Sequence, residues 1–176
     1  KKNISEIIND PLSYKEGNEN STIVFINFID YNCIYCKKAN RDVVDILENY
    51  KDIRYVVKEF PILGDQSLAV SKMVLSVLIE NGPYVYKKLH QEILRSKEKI
   101  TKQKVKNILK RYGFNFDETK AKKNNEIIEK HLKYNFFIAN NLGISGTPTY
   151  IIGNEILRGY VEKSVLAKVI ESNKNR

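Results

Sequence analysis

The two cysteines of the chain, Cys33 and Cys36, are separated by two residues, and the sequence contains no others. Thiols at this spacing can bind a metal ion, form a static disulfide or carry out redox chemistry. A structural zinc ion needs four ligands, and the two histidines, His90 and His131, fall in separate predicted helices, where we expect them at or near the surface. A disulfide that closes so short a loop removes little chain entropy. Redox chemistry is therefore the favoured use of the pair.

The position of the cysteines between two predicted elements supports this interpretation. Residues 23–29 are β-branched or aromatic apart from Asn27, which predicts a strand buried on both faces. Apolar residues at helical spacing follow the pair, so Cys33 lies at the start of a helix. The helix dipole and the unpaired N–H groups at that end stabilise a thiolate. We predict Cys33 as the exposed nucleophile and Cys36, one turn further in, as the more buried resolving thiol.

A proline far along the chain carries the second motif. Residues 143–152 read GISGTPTYII, with small residues before Pro148 and a predicted strand after it. The cis state of an X–Pro bond costs only about 0.5–1 kcal/mol, so a fold can hold it. An ordinary trans turn before an edge strand is the alternative. Together with the distant cysteine pair and this order of elements, the cis turn is favoured.

The remaining elements must bring the two motifs together. The first twenty residues read as a short helix and a loop, and residues 52–60 read as a second strand. Residues 64–141 carry several helical patterns, with Thr101 as an N-cap and Pro83 at a first helical position. Gly153 and Asn154 indicate a hairpin turn, and a final helix follows. The simplest architecture is one mixed sheet flanked by helices, with a helical insertion between its halves.

Three stretches, FIDYNCIYCKKAN, VVKEFPILG and GISGTPTYIIG, resemble the DsbA-like thiol–disulfide oxidoreductases of the thioredoxin superfamily, and among these the suppressor-of-copper-sensitivity subgroup. The resemblance covers most of the chain. It implies an α/β thioredoxin fold with an inserted all-helical domain. The thioredoxin domain would comprise residues 1–63 and 142–176, and the helical domain residues 64–141.

The resemblance also implies roles for individual residues. Cys33 would be the nucleophile and Cys36 the resolving thiol. Pro148 would be the cis-proline whose loop faces the pair and holds an extended substrate. Thr147, just before it, would contact the sulfurs and the substrate backbone; threonine at this position is also typical of disulfide isomerases.

Two features depart from the family pattern. Asn27 stands where the family often has an acidic residue, which accepts the proton of the resolving thiol. Glu59, at the end of the second strand, is the candidate substitute in this proton relay; the alternative is a solvated residue at a strand end. The dipeptide Ile34-Tyr35 lacks the histidine of DsbA, so we expect a less extreme thiolate. Both side chains are placed for substrate contact, although Tyr35 could simply pack over the start of the helix.

The resemblance predicts a periplasmic enzyme that introduces or exchanges disulfides in exported proteins, with dithiol oxidase favoured. A disulfide isomerase or reductase of the same fold is the alternative. A DsbB-like membrane oxidase would reoxidise the enzyme, or a DsbD-like reductase would keep it reduced. We expect no cofactor beyond the Cys33–Cys36 disulfide, and a monomer or small homo-oligomer. The chain starts at Lys1 without a methionine, so we expect a mature form from which a signal peptide has been removed.

Composition limits the other function classes. The net charge of +9 is spread along the chain without a basic stripe interleaved with aromatic residues, which disfavours nucleic-acid binding. No apolar run is long enough to span a membrane. A copper-binding module that uses the two thiolates is the hypothesis from another class. Met73 is the one methionine, and the lack of a methionine-rich tract disfavours that module.

Overall fold

A five-stranded mixed sheet forms the centre of the computed structural model, which describes residues 4–174. The strands are β1 (Lys15–Gly17), β2 (Val24–Ile29), β3 (Arg54–Glu59), β4 (Thr149–Ile152) and β5 (Glu155–Arg158). Across the sheet they follow the order β1-β3-β2-β4-β5. β2 and β3 are parallel, and the other neighbouring strands are antiparallel.

Helices cover the sheet, and three of them lie between β3 and β4 in the sequence. The helices are α1 (Ile4–Asn9), α2 (Ile34–Asn49), α3 (Asp65–Arg95), α4 (Lys102–Arg111), α5 (Glu118–Asn141) and α6 (Lys163–Lys174). This arrangement confirms the predicted α/β architecture with a helical insertion. In the part of the chain described here, no helix combines the length and the apolar character needed to cross a membrane.

The two central strands are buried on both faces, as their apolar sequence predicts. Phe25 and Ile29 of β2 join a large core with residues of α2 and α3 on one face. Ile26 and Phe28 point the opposite way and join a second core with residues of α1 and α5. The sheet alternation of two residues therefore divides one apolar strand between two cores.

The edge strand β1 was not predicted, since residues 15–17 were assigned to a loop. It pairs antiparallel with β3, with Lys15 opposite Val56 and Gly17 opposite Arg54. A three-residue polar strand lacks hydrophobic alternation, so backbone pairing alone defines it. Gly17 has φ +91°, and a Cβ there would lie 2.2 Å from the carbonyl oxygen of Ile53, so this position requires glycine.

The hairpin of β4 and β5 brings the proline motif to the cysteines. Gly153 and Asn154 connect the two strands, which confirms the predicted turn. β4 runs antiparallel to β2, with Thr149 opposite Phe28. The residue before Thr149 therefore lies at the carboxyl end of β2, where the chain enters the loop that carries Cys33.

The helices of the insertion begin and break at the glycine, proline and N-cap residues of its sequence. Gly82 has φ 82° and interrupts α3 before Pro83 restarts the helix. The side chain of Thr101 accepts a hydrogen bond from the backbone N–H of Lys104 at 3.2 Å, which confirms it as the N-cap of α4. Tyr86 of α3 is fully buried in the large core, so the insertion packs against the sheet rather than standing apart from it.

Candidate active site

Cys33 is the N-cap residue of α2, and Cys36 lies within the first turn of that helix. The backbone N–H of Cys33 donates to the carbonyl of Asp30 at 3.0 Å, and the Cys33 carbonyl accepts from Lys37 at 3.1 Å. The short turn after β2 thus ends with a cysteine at the positive end of a helix of 16 residues. Both cysteines are free thiols.

The two thiols and the dipeptide between them differ in exposure. Cys36 is 3% exposed and Cys33 only 7% exposed, so the prediction of an exposed Cys33 is wrong. The loop before β4 covers its sulfur. Ile34 and Tyr35 are 78% and 59% exposed, and they form the rim beside the sulfur that a protein substrate would meet.

Thr147, two residues before β4, lies against the sulfur of Cys33. The Thr147–Pro148 peptide bond is cis. The thiol of Cys33 donates to the carbonyl oxygen of Thr147 at 3.2 Å. The start of α2 and the loop before β4, which are 114 residues apart at this contact, therefore meet at one sulfur.

The environment of Cys33 favours its thiolate. A hydrogen bond from Cys36 is the largest cause that lowers the pKa of Cys33, to about 6 from 9.0. Burial opposes this shift, while the side chain of Thr147 and the backbone N–H groups of Tyr35 and Cys36 add to it. The predicted role of the helix N-terminus is thus present, but the second cysteine contributes more.

Cys36 behaves in the opposite way. Burial is the main cause that raises the pKa of Cys36 far above its ordinary value, and the hydrogen bond and charge of Cys33 raise it further. The proton of the pair therefore stays on Cys36 while Cys33 ionises. Two identical side chains one turn apart thus differ in ionisation, with Cys33 favouring the thiolate and Cys36 the thiol.

Asn27 is buried in β2, where its side-chain amide donates to the hydroxyl of Tyr55 at 2.9 Å. An amide does not accept a proton as a carboxylate does. Within residues 4–174, Asn27 makes no hydrogen bond to either cysteine sulfur. Its place in the sheet matches the predicted position, and its contacts are those of a core residue.

Glu59 is fully buried at the end of β3, which excludes the solvated alternative. The Tyr86 hydroxyl donates to one Glu59 oxygen, and the Tyr31 hydroxyl donates to Tyr86 at 3.2 Å. Tyr31 precedes Cys33 by two positions. In the described chain Glu59 reaches the cysteine loop only through these two tyrosines and does not itself contact a sulfur.

The expectation that both histidines lie at or near the surface is wrong. His90 is 6% exposed, and its Nδ1 lies 3.0 Å from the hydroxyl of Tyr31. Burial lowers the pKa of His90 to about 4. His90 lies on the buried side of α3. The helical periodicity of the sequence does not show that this position contacts the hydroxyl of Tyr31.

His131 is equally buried but sits between carboxylates. Its Nδ1 is 3.0 Å from Asp10, and its Nε2 is 3.8 Å from Glu59. Burial lowers the pKa of His131, but the two carboxylates outweigh it and the pKa is raised. Lys58, also fully buried, pairs with Asp10 at 2.7 Å. A charged cluster thus connects α1, β3 and α5 beneath the sheet.

Asp30 is a further buried residue that sequence reasoning missed. Its carboxylate accepts from the backbone N–H of Asn32 at 2.8 Å, from the N–H of Leu63 at 3.0 Å and from the hydroxyl of Ser67 at 2.7 Å. It ties the cysteine loop to the start of α3. An acidic residue directly after an apolar strand, three positions before Cys33, was the available signal. No group of three or more metal-binding side chains occurs in residues 4–174.

Comparisons with known proteins give one matching family model and several similar solved structures. The family model described as Thioredoxin matches residues 11–172. The thiol–disulfide exchange protein α-DsbA2 of Wolbachia pipientis is 30% identical, with a TM-score of 0.85 over 96% of this chain and 90% of that one. The catalytic domain of Proteus mirabilis ScsC is 28% identical, with a TM-score of 0.84 over 97% and 93%. A periplasmic thioredoxin-like protein of Salmonella enterica serovar Typhimurium is 26% identical, with a TM-score of 0.83 over 97% and 94%. A search of curated proteins gives no match.

Proposed function

We propose that this chain, which belongs to the thioredoxin family, is a thiol–disulfide oxidoreductase that forms disulfides in exported proteins as a dithiol oxidase. The observation that carries the proposal is the placement of Cys33 at the N-terminus of α2 with a second thiol one turn away, an arrangement that lowers the pKa of Cys33. The similar protein described as a thiol–disulfide exchange protein supports the same chemistry.

The oxidase cycle begins with the Cys33–Cys36 disulfide. A substrate thiolate attacks the sulfur of Cys33, forming a mixed disulfide and expelling Cys36, which takes up a proton. A second substrate thiolate then attacks the substrate sulfur of that mixed disulfide and expels the Cys33 thiolate. The substrate gains a disulfide, and two electrons pass to the enzyme. Cys36 can instead attack the mixed disulfide and free Cys33 from a stalled complex.

The low pKa of Cys33 assists the second step of this cycle and favours the overall oxidation of substrate. A thiolate of low pKa is the better leaving group, so the second attack is accelerated. The same stabilisation favours the reduced enzyme over its disulfide, which makes the pair oxidising toward ordinary protein thiols. Because burial raises the pKa of Cys36, this thiol takes up a proton once the first attack has expelled it.

Thr147, Pro148, Ile34 and Tyr35 would bind the substrate. The Thr147 carbonyl lies 3.2 Å from the sulfur, so a chain segment beside this loop would present its own cysteine to Cys33. The exposed Ile34 and Tyr35 offer apolar contact on the opposite rim. Glu59 is proposed as a positioning residue that holds Tyr86 and thereby Tyr31 beneath the cysteine loop.

The proposed compartment is the periplasm, supported by the similar protein described as periplasmic. Reoxidation of the dithiol there would require an electron acceptor such as a DsbB-like membrane oxidase. A disulfide isomerase kept reduced by a DsbD-like partner is the second candidate. The contact between Cys33 and Thr147 favours it, because threonine before this proline resembles the isomerase pattern.

Ribonuclease refolding separates these functions. The oxidised enzyme is mixed with reduced, unfolded ribonuclease, and the reduced enzyme with scrambled ribonuclease, and recovery of nuclease activity is followed in both. The oxidase proposal expects fast recovery in the first assay and little in the second, with both lost in Cys33→Ser. Fast recovery from the scrambled form alone would establish the isomerase. Absence of recovery in both assays would reject the thiol–disulfide proposal altogether.

A further inference from the structure

A groove of about 920 Å³ opens beside the cysteine pair, between α2 and the chain that follows α3. Ile34, Leu63 and Leu94 provide its apolar lining. Ile34 and Leu63 are 78% and 54% exposed, so their apolar surface is available to a partner. The groove begins at the residue next to Cys33, which means that a chain bound there would extend directly from a substrate cysteine.

The walls of this groove are basic. Lys37, Lys38 and Arg41 line it from α2. Arg95, Lys97 and Lys99 line it from the segment that leaves α3. Glu98 is the one acidic residue of the lining. The sequence predicts a positive charge spread along the chain, whereas the fold gathers six cationic side chains around one opening.

Few carboxylates of the chain lie close enough to neutralise the positive charge of this groove. The Glu98 carboxylate is paired with Lys104, outside the groove lining. In the described part of the chain, the exposed side chains of Arg41, Lys97 and Lys99 have no carboxylate within ion-pair distance. The groove therefore presents an apolar lining and free cationic groups to whatever segment enters it.

We propose that this groove selects substrates whose reactive cysteine is flanked by acidic residues in an extended segment. The proposal rests on the thiol–disulfide function and names its substrate class. Charge complementarity at an opening beside the reactive sulfur raises the rate of productive encounter, more than it raises final affinity. The aliphatic part of the same segment would contact Ile34 and Leu63.

The test uses three cysteine peptides of equal length, flanked by glutamates, glutamines or lysines. Stopped-flow mixing with the oxidised full chain gives the second-order rate of enzyme reduction. We expect the glutamate peptide to react about tenfold faster than the glutamine peptide at low salt. The lysine peptide should react more slowly than either, and the differences should shrink at high salt.

Matched variants separate the groove from the net charge of the molecule. Lys97→Glu/Lys99→Glu alters the groove, and Lys123→Glu/Lys168→Glu makes the same change of charge at exposed positions outside its lining. We expect the first variant to remove the preference for the glutamate peptide and the second to retain most of it. An equal loss of this preference in both variants would overturn the groove proposal, because the overall charge of the molecule would then explain the preference.

The failures of the two proposals are distinguishable. If the enzyme oxidises the glutamine peptide at a normal rate but shows no preference among the flanks, the groove proposal fails and the oxidoreductase stands. If no peptide reacts, the oxidoreductase fails and the substrate class fails with it. If anionic lipid vesicles block the groove while a cysteine-free acidic peptide does not, its occupant is a membrane surface and the proposal is overturned.

Discussion

At the scale of single residues, two cysteines within one helical turn have thiol pKa values that shift in opposite directions. Cys33 receives hydrogen bonds from the second thiol, from backbone N–H groups and from Thr147. For Cys36, burial and the neighbouring Cys33 raise the pKa, and they outweigh the hydrogen bonds from Asp30 and Thr147 that lower it. The difference in pKa between the two thiols therefore comes from local hydrogen bonding and burial, because the side chains themselves are identical.

Ionisation of Cys33 gives the first prediction. Its pKa of about 6 means that its thiolate is nearly complete at pH 7 and is lost as pH falls through 6. The absorbance of the reduced protein near 240 nm and the rate of alkylation by iodoacetamide should both follow this midpoint. In Cys36→Ala the midpoint should move upward, because the largest stabilising hydrogen bond is removed. A wild-type midpoint near 9 would contradict the geometry.

The Thr147 side chain gives the second prediction. Thr147→Val keeps the shape of the residue and the backbone carbonyl beside the sulfur, but removes the hydroxyl. One hydrogen bond contributes about 1 kcal/mol, which corresponds to roughly 0.7 of a pKa unit. The midpoint for Cys33 should rise by about that amount in the same titration. Thr149→Val, which removes the hydroxyl two residues further on, serves as the control, since the Oγ1 of Thr149 donates to the carbonyl of Gly146 instead.

A residue's position and chemistry could be predicted from the sequence where they follow from its type and its neighbours in the chain. Cys33 and Pro148 carry their chemistry in the pattern around them. Glu59 and the two histidines do not, because their burial depends on which helix packs against them. A tyrosine at position 86 and a carboxylate at position 59 are 27 residues apart, and no local spacing records that they meet.

At the scale of elements, β2 and β4 place the reactive groups, and α3 and α5 bury polar side chains against β3. The two histidines show the consequence. His90 on α3 meets tyrosine hydroxyls, whereas His131 on α5 meets Asp10 and Glu59. The same side chain is therefore neutral in one helix and favours its charged form in the other.

This contrast predicts opposite dependences of stability on pH. The pKa of His90 is lowered from 6.5 to about 4, so the unfolded chain binds a proton that the folded chain rejects. The free energy of unfolding should fall as pH drops from 6.5 to 4, by on the order of 3 kcal/mol. The pKa of His131 is raised above 6.5 in the folded chain. Its contribution to the free energy of unfolding is therefore full below pH 6.5 and is lost as the pH rises through that raised pKa.

These opposite pH dependences can be checked by urea unfolding of His90→Gln and His131→Gln, with the free energy of unfolding measured at several pH values. The first variant should flatten the acid side of the stability profile, and the second should flatten the side above pH 6.5. Each variant is the control for the other, because both replace one buried histidine in the insertion. Identical pH profiles for the two variants would mean that the two sites do not differ in charge as described.

At the scale of the whole molecule, the fold explains both what the sequence predicted and what it did not. The order of elements was predictable, since each long apolar or amphipathic segment carries its own period. The edge strand β1 was not, because residues 15–17 are polar and their pairing is formed by backbone groups. The basic groove was also hidden, because α2 and the segment after α3 meet only in three dimensions.

The central claim is that Cys33 and Cys36 form an oxidising redox pair. The most direct measurement is its reduction potential, by equilibration with glutathione buffers and quantification of free thiols. With a Cys33 pKa of about 6, between the values of about 7 for thioredoxin and about 3.5 for DsbA, we predict a potential between about −270 and −120 mV. A potential at or below about −270 mV, the value of the reductant thioredoxin, would contradict the claim that the pair is oxidising.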